Sequence, residues 1–198
     1  MKIRDYEQKL LKGYIGAFAK LDEMALIDHG LSLPELQLTT GEVDQYDRKI
    51  WRPMQIQTDP SALEPVYAKL PARFPPFYEL LVLSYRWAEV DLQSYRLLAN
   101  PPGPDLSGLL GKMTGDPGLW SALIPAGLIQ FGRGPDVDYD PVCFDVRSRS
   151  KRRDYRIVKI DHEEILCHNR IKIISELAPS FEVLMLNTIE QAGSSRQV

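Results

Sequence analysis

The sequence has 198 residues, of which 44% are apolar and 26% charged, and its 24 Lys and Arg against 27 Asp and Glu give a net charge of −3. These values exclude collagen-like, coiled-coil and wholly disordered chains. The slight acidic excess argues against nucleic acid as the main partner, because phosphate binding relies on Lys and Arg. Since no apolar run reaches the length of a membrane span and the N-terminus does not resemble a signal peptide, we expect a cytoplasmic protein without a membrane partner. We also expect Cys143 and Cys167 to be reduced.

The N-terminal third divides into a predicted helix and a proline-rich stretch. Between residues 2 and 28, apolar side chains recur every three or four positions, which predicts a helix that stops at Gly30. Seven prolines between residues 31 and 76 indicate an extended or looped chain, with one short helix after Asp59-Pro60. We therefore assign residues 1–69 to an extension whose helix packs on the remaining chain through Tyr6, Leu10, Tyr14 and Phe18.

From residue 70 onward the pattern predicts mixed helices and strands. A helix begins at Pro75-Pro76, and two short helices are separated near Asp116-Pro117. A last helix begins around Ser180, which acts as its N-cap, and ends near Gly193. Strands are predicted at 87–98, 128–131, 142–146 and 155–160, with a further short run at 170–174. Residues 70–190 are thus predicted to form one α+β domain, with a mostly antiparallel sheet flanked by helices, before a flexible tail at 191–198.

Motifs for metal binding and catalysis are incomplete in this sequence. His162 and His168 are six residues apart, so a helix would turn their rings away from one another, whereas zinc-binding helices use a spacing of four. We interpret residues 162–168 as a polar loop. The glycines around Lys112 do not fit a phosphate-binding loop, and no Gly-x-Ser-x-Gly elbow is present. We expect no metal, no cofactor and no catalytic constellation.

Charged residues form two blocks near the centre of the predicted domain. Asp136, Asp138 and Asp140 can cap a turn, bind calcium or form an acidic docking rim. Calcium binding of the EF-hand type is excluded, because Pro141 and Arg147 occupy the places of the required Gly and Glu. The basic block at residues 147–156 is interpreted as the solvated tip of a hairpin, with a nuclear-localisation or nucleic-acid signal as the alternative.

Four segments in the right order resemble the SUKH superfamily, which includes fungal Smi and Knr cell-wall regulators and many bacterial immunity proteins. The matching segments are IQFG at 129–132, DPVCFD at 140–145, IDHE at 160–163 and APSFEVL at 178–184. The resemblance covers roughly residues 70–188 and implies a SUKH-like α+β domain. In this family context we expect Trp120 and Phe181 to belong to the core.

The resemblance implies a non-catalytic protein-binding module, in which an immunity-type protein neutralises a toxin such as a nuclease. The candidate partner-binding residues are Asp136, Asp138, Asp140 and Trp87. The three acids are included because negative charge complements a site built for phosphate. The basic residues 147–153 are expected to lie elsewhere. Two alternatives stay open at this point. One is a small carboxylate-based hydrolase with His162 as acid or base, and the other is a regulatory scaffold like the fungal relatives.

Overall fold

The structure, a computed structural model, describes residues 3–26, 33–147 and 153–194. The helices in these ranges are α1 (Ile3–Leu21), α2 (Leu33–Leu36), α3 (Glu64–Tyr67), α4 (Pro76–Ser84), α5 (Ser107–Met113), α6 (Pro117–Leu123), α7 (His162–His168) and α8 (Phe181–Ser194). The strands are β1 (Ala25–Leu26), β2 (Thr39–Val43), β3 (Lys49–Trp51), β4 (Met54–Gln55), β5 (Tyr85–Arg86), β6 (Val90–Asp91), β7 (Arg96–Leu97), β8 (Leu128–Arg133), β9 (Pro141–Asp145), β10 (Ile157–Ile160) and β11 (Ile173–Ala178).

A six-stranded sheet forms the centre of the described chain, with the strand order β11-β10-β9-β8-β7-β6. Its register places Cys143 opposite Gln130 on one side and opposite Val158 on the other. Smaller sheets are formed by β1, β3 and β2 and by β4 and β5. Every strand pairing within the described residues is antiparallel. The predicted fold class, α+β with a mostly antiparallel sheet flanked by helices, is confirmed.

Helices cover both faces of the central strands, so those strands are apolar on both sides. On one face, Phe131 stacks on Phe144 at 4.1 Å between ring centroids, and both rings pack against Tyr78 of α4 and Phe181 of α8. On the other face, a smaller cluster joins α6 and α7 to the sheet through Leu119, Leu123, Leu128, Cys143, Val158, Ile160 and Ile165. Phe181 is a core residue as predicted, whereas Trp120 is only half-buried, which corrects its assignment to the core.

The N-terminal helix packs in the same core as the predicted domain. Tyr14 and Phe18 are fully buried, the Tyr14 ring lies edge-on to Phe181, and the Tyr14 hydroxyl bonds Tyr95 at 2.6 Å. The helix ends at Leu21 rather than at Gly30, which lies outside the described residues. It ends there because the Asp22 carboxylate accepts from the backbone N–H of Met24 at 2.7 Å, and Met24 takes a left-handed φ of 50°. A single packed core therefore includes the predicted extension.

The proline-rich stretch is mostly extended, as predicted. Its short helical segment after Asp59 is a 3-10 turn at Pro60–Leu63 that continues into α3, and the Asp59 carboxylate caps it by accepting from the Ser61 N–H at 2.8 Å. The helix predicted at Pro75-Pro76 is α4, and the two short helices around Asp116-Pro117 are α5 and α6. Residues 191–194 belong to α8, so the predicted flexible tail begins too early.

Residues 162–168 form the helix α7, and the prediction of a loop was wrong. Asp161 caps this helix by accepting from the Glu164 N–H at 3.1 Å, and Asn169 ends it with a left-handed φ of 49°. The sequence signal was an acidic cap followed three residues later by Glu, which is typical of a helix N-terminus. Because α7 contains so many polar residues, it shows no clear helical period of apolar side chains that would have supported this capping signal.

Candidate functional site

The loop between β8 and β9, residues 134–140, is called the acidic loop here because it contains Asp136, Asp138 and Asp140. Its ends are joined by a bond of 2.9 Å from the Gly134 N–H to the Asp140 carbonyl. Inside the loop, the Asp138 carboxylate accepts from the Asp140 N–H at 2.9 Å. Any side chain at Gly134 would collide with that carboxylate, whose carbon lies 2.0 Å from the position of a Cβ. The loop is therefore tightly closed around the Asp138 side chain.

Two of the three acids face inward onto Lys159 of β10. Lys159 hydrogen-bonds the Asp138 carboxylate directly and lies 3.5 Å from the Asp140 carboxylate. Burial alone would raise the pKa of Asp138, but the bonds from Lys159 and from the Asp140 N–H outweigh it and lower that pKa. The same contacts raise the pKa of Lys159 against the opposing effect of its burial. These charges neutralise each other within the protein.

Asp140 also holds His162, the first residue of α7. One carboxylate oxygen accepts from the His162 backbone N–H at 3.0 Å and lies 2.6 Å from its ring Nδ1. Because a carboxylate offers only acceptors, the Nδ1 proton points to Asp140, and Nε2 is the acceptor of the neutral form of the ring. The structure thus fixes both the ring orientation and the tautomer of His162.

The remaining part of the acidic loop is held from the side of β6 and β8. The backbone N–H of Asp136 donates to the Asp91 carboxylate at 3.2 Å, and Arg133 donates to the Asp136 carbonyl at 3.2 Å. Arg133 is itself fixed by two bonds to Glu89, of 2.9 and 2.7 Å. Its guanidinium lies 5.3 Å from the centroid of the Tyr139 ring. The loop is rigidly supported although its outer side chains face solvent.

Those outer side chains are mainly apolar. Val137 is 83% exposed and Tyr139 is 60% exposed, and Asp136 is the only one of the three acids of the loop that is classed as exposed. Leu166 of α7, which is 54% exposed, shares a cleft with Tyr139. The predicted site contained the acids but not these apolar neighbours, although the alternation of Asp with Val and Tyr in residues 136–140 indicates them.

A cleft of about 390 Å³ opens beside the loop, and we call it the His162 cleft. It lies between α6, α7 and β8, and its walls include Leu119, Gln130, Arg133, Tyr139, His162 and Leu166. Its volume is within the range of sites that bind small molecules or single side chains of a partner. The His162 ring forms one wall, with Nδ1 turned to Asp140 and the Tyr139 ring packed edge-on at 6.3 Å between centroids, and among the described residues Nε2 has no hydrogen-bond partner.

Trp87 does not belong to this surface, and its assignment as a partner contact is corrected. Its side chain is fully buried, and its indole N–H donates to the Leu98 carbonyl at 2.9 Å. Backbone bonds of 3.0 Å in both directions tie it to Asn100. Because its exposed fraction is 0%, no part of the indole reaches a partner.

The basic block begins at the opposite end of β9 from the acidic loop. There the buried Asp145 carboxylate accepts two bonds from Arg147, of 2.7 and 2.6 Å, and two from Arg156, of 2.9 and 2.7 Å. Burial would raise the pKa of Asp145, but these arginines lower it to about 2. Arg153 pairs with Glu79 at 2.6 Å. Residues 148–152 of the predicted hairpin tip lie outside the described residues.

The two cysteines and the remaining histidine do not extend the site. Cys143 is buried in the sheet and Cys167 is exposed on α7, and both are free thiols. Burial raises the pKa of Cys143. His168 faces Glu164 at 3.5 Å, away from the Asp140 contact of His162. Across the ranges that the structure describes, no three His, Cys, Asp or Glu side chains are grouped as metal ligands.

Comparison with protein-family models, curated proteins and solved structures gives no match to this chain. The resemblance to the SUKH superfamily therefore stays an expectation that rests on the four sequence segments. Over its described part, the chain contains no helix with the length and apolar character needed to cross a membrane.

Proposed function

We propose that this protein is a non-catalytic binding module of the immunity type, which acts in the cytoplasm and neutralises a toxin through the acidic loop. The observation that carries the proposal is the pair Val137 and Tyr139, both largely exposed on a loop that is fixed by internal bonds. Large apolar side chains on a rigid loop are costly in water and favour burial against a partner. Tyrosine is also among the residues that contribute most to protein interfaces.

The internal bonds of the loop support binding rather than catalysis. Lys159, His162, Asp91 and Arg133 hold it from several elements, so little conformational freedom is lost when a partner associates. An immobile loop of this kind keeps Val137 and Tyr139 in one arrangement. This pre-organisation is what a tight inhibitor of an enzyme needs.

Charge plays a smaller part in this proposal than the sequence indicated. Asp138 and Asp140 are bound inward by Lys159 and His162, which leaves Asp136 as the exposed acid of the loop. One exposed charge mainly speeds association and contributes little to the lifetime of a complex. We therefore assign affinity to Val137 and Tyr139 and assign steering to Asp136.

The second candidate is the carboxylate-based hydrolase, and the Asp140–His162 contact of 2.6 Å favours it. An imidazole oriented by a carboxylate can act as a general base toward a water molecule in the His162 cleft. The acids Asp145 and Asp161 have structural roles instead, since Asp145 binds two arginines and Asp161 caps α7. This candidate predicts hydrolysis of p-nitrophenyl acetate or bis(p-nitrophenyl) phosphate that His162→Gln abolishes, and equal rates with and without the protein would exclude it for these substrates.

The binding proposal is tested with the proteins encoded by the genes on either side of this one. Each is produced in a bacterial host with and without this protein, and growth and complex formation are measured. We expect one neighbour to be toxic, to be neutralised by this protein and to bind it. If neither neighbour is toxic or bound, the immunity proposal is wrong.

The chain offers a matched control for the surface. Tyr46 is 69% exposed in the turn between β2 and β3, and Arg48 lies over its ring at 5.3 Å, as Arg133 does over Tyr139. Tyr139→Ala should abolish growth rescue or weaken the complex at least about tenfold, as expected for a central interface tyrosine. Tyr46→Ala should leave both unchanged. Equal effects of the two substitutions would show that the acidic loop is not the binding surface.

A further inference from the structure

The His162 cleft has a free hydrogen-bond acceptor between apolar walls. Asp140 binds Nδ1 of His162, so Nε2 is the ring nitrogen left without a protein partner among the described residues. Leu119, Leu166 and the Tyr139 ring provide apolar surface around it. An occupant that matches these features is apolar along its sides and carries one hydrogen-bond donor.

The charged groups around the cleft already have hydrogen-bond partners within the protein, which disfavours a charged occupant. Arg133 uses its three nitrogens on Glu89 and on the Asp136 carbonyl, and Lys112 pairs with Glu35 at 3.0 Å. The Asp116 carboxylate caps α6 by accepting from the backbone N–H groups of Gly118 and Leu119. An incoming carboxylate or ammonium would lose its hydration beside groups that already have hydrogen-bond partners.

A phenol satisfies these conditions better than other neutral side chains. Its hydroxyl can donate to His162 Nε2, and its oxygen can accept a hydrogen bond from the Lys112 ammonium, which has three N–H groups and uses one on Glu35. Its ring can lie between Leu166 and the Tyr139 ring, where aromatic pairs are favourable. A phenyl ring without a hydroxyl would leave Nε2 without a partner once water is displaced.

We propose that the His162 cleft binds a tyrosine side chain of the partner protein, with the phenol hydroxyl donating to His162 Nε2. This inference rests on the proposed function, because it names the chemical group by which the partner is anchored beside the acidic loop. It explains why a histidine is held in one tautomer at this position. It also gives the cleft a role in recognition, distinct from that of a general base.

The test uses p-cresol, the tyrosine side chain as a free molecule, and 4-methylanisole, in which a methyl group replaces the phenol proton. Each is titrated into the full-length protein while NMR follows the Leu166 methyl groups and His162 Nε2. We expect p-cresol to shift both signals and to bind about three- to tenfold more tightly than 4-methylanisole, the range of one net hydrogen bond. Equal affinities, or shifts confined to other regions, would overturn the proposal.

Variants of the cleft sharpen this test, and NMR spectra check that each variant is folded. His162→Phe retains a ring but removes the acceptor, and it should abolish the difference between the two compounds. Leu166→Ala should weaken both compounds, whereas Leu186→Ala, at a site on α8 that is 44% exposed, should weaken neither. Unchanged NMR spectra away from the cleft establish that each variant is folded. No partner is needed, so selective p-cresol binding without a toxic neighbour would contradict the immunity proposal alone.

Discussion

The two ends of β9 carry the two charge blocks of the sequence and use them in opposite ways. At the basic end, Asp145 is buried and the side chains of Arg147 and Arg156 are 44% and 42% exposed. At the acidic end, Lys159 is more deeply buried than Asp138, and Val137 and Tyr139 reach solvent beside Asp136. A block of like charges in a sequence therefore does not identify a charged surface, because pairing across the sheet decides what remains for a partner.

The largest effect is expected at the basic end. Asp145→Asn leaves two guanidinium groups without their shared carboxylate, and we expect a loss of about 2 to 4 kcal/mol in the free energy of unfolding. Chemical denaturation measures this loss. Glu64→Gln is the matched control, because Glu64 and its partner Arg73 are both more than half exposed, and it should change stability by less than about 0.5 kcal/mol. Similar values for the two variants would contradict the structural role of Asp145.

The dependence of stability on acidic pH should also detect the ionisation of Asp145. The pKa of Asp145 is about 2 in the folded protein and about 4 in an unfolded chain, so folding favours its deprotonated form. Its contribution is present above pH 4 and is lost as the pH falls toward 2, which corresponds to about 2 kcal/mol. Stability measured across this range should fall less in Asp145→Asn than in the unmodified protein. Parallel curves would show that Asp145 is not ion-paired as described.

A smaller loss is expected at the acidic end. Lys159→Met retains the aliphatic stem but removes the cation between Asp138 and Asp140, and we expect a loss of about 1 to 2 kcal/mol. Lys172→Met removes an exposed lysine that pairs with Asp161, and its effect should remain below about 0.5 kcal/mol. A negligible effect of Lys159→Met in thermal and chemical denaturation would mean that the acidic loop is not held by this lysine.

The smallest expected effect is the difference in stability loss between substitutions of two acids of the loop. Asp138→Asn weakens the bond to Lys159 and should cost about 0.5 to 1.5 kcal/mol. Asp136→Asn changes an exposed side chain and should leave stability within about 0.5 kcal/mol. Equal losses of stability in the two variants would contradict the inward position of the Asp138 side chain.

Local sequence patterns were sufficient for several of the regular elements, although not for α7. The stripe from Tyr6 to Phe18 predicted α1, and the N-cap Ser180 predicted α8, where its hydroxyl accepts from the Val183 N–H at 3.2 Å. The strands β8, β9 and β10 followed from short apolar runs between turns. These features depend on neighbours a few residues apart, so they can be recognised in one sequence.

The candidate site is formed by contacts between residues far apart in the sequence, which the spacing of motifs does not reveal. Lys159 and His162 follow Asp138 and Asp140 by 21 and 22 residues, and only the pairing of β9 with β10 brings them together. The acids were therefore predicted as a surface, although two of them are structural. Trp87 was misplaced for a related reason, because it is fully buried and its indole N–H donates to the Leu98 carbonyl 11 residues away, a contact that no local period reveals.

The central claim is that Val137 and Tyr139, rather than the acids, hold the partner. The most direct measurement compares the binding kinetics of Val137→Ser/Tyr139→Ala and of Asp136→Asn with those of the unmodified protein, using the toxin identified among the neighbouring gene products at low and high salt. We predict that the double variant dissociates at least about a hundredfold faster at both salt concentrations, and that Asp136→Asn slows association only at low salt. Faster dissociation of Asp136→Asn with an unaffected double variant would contradict the account.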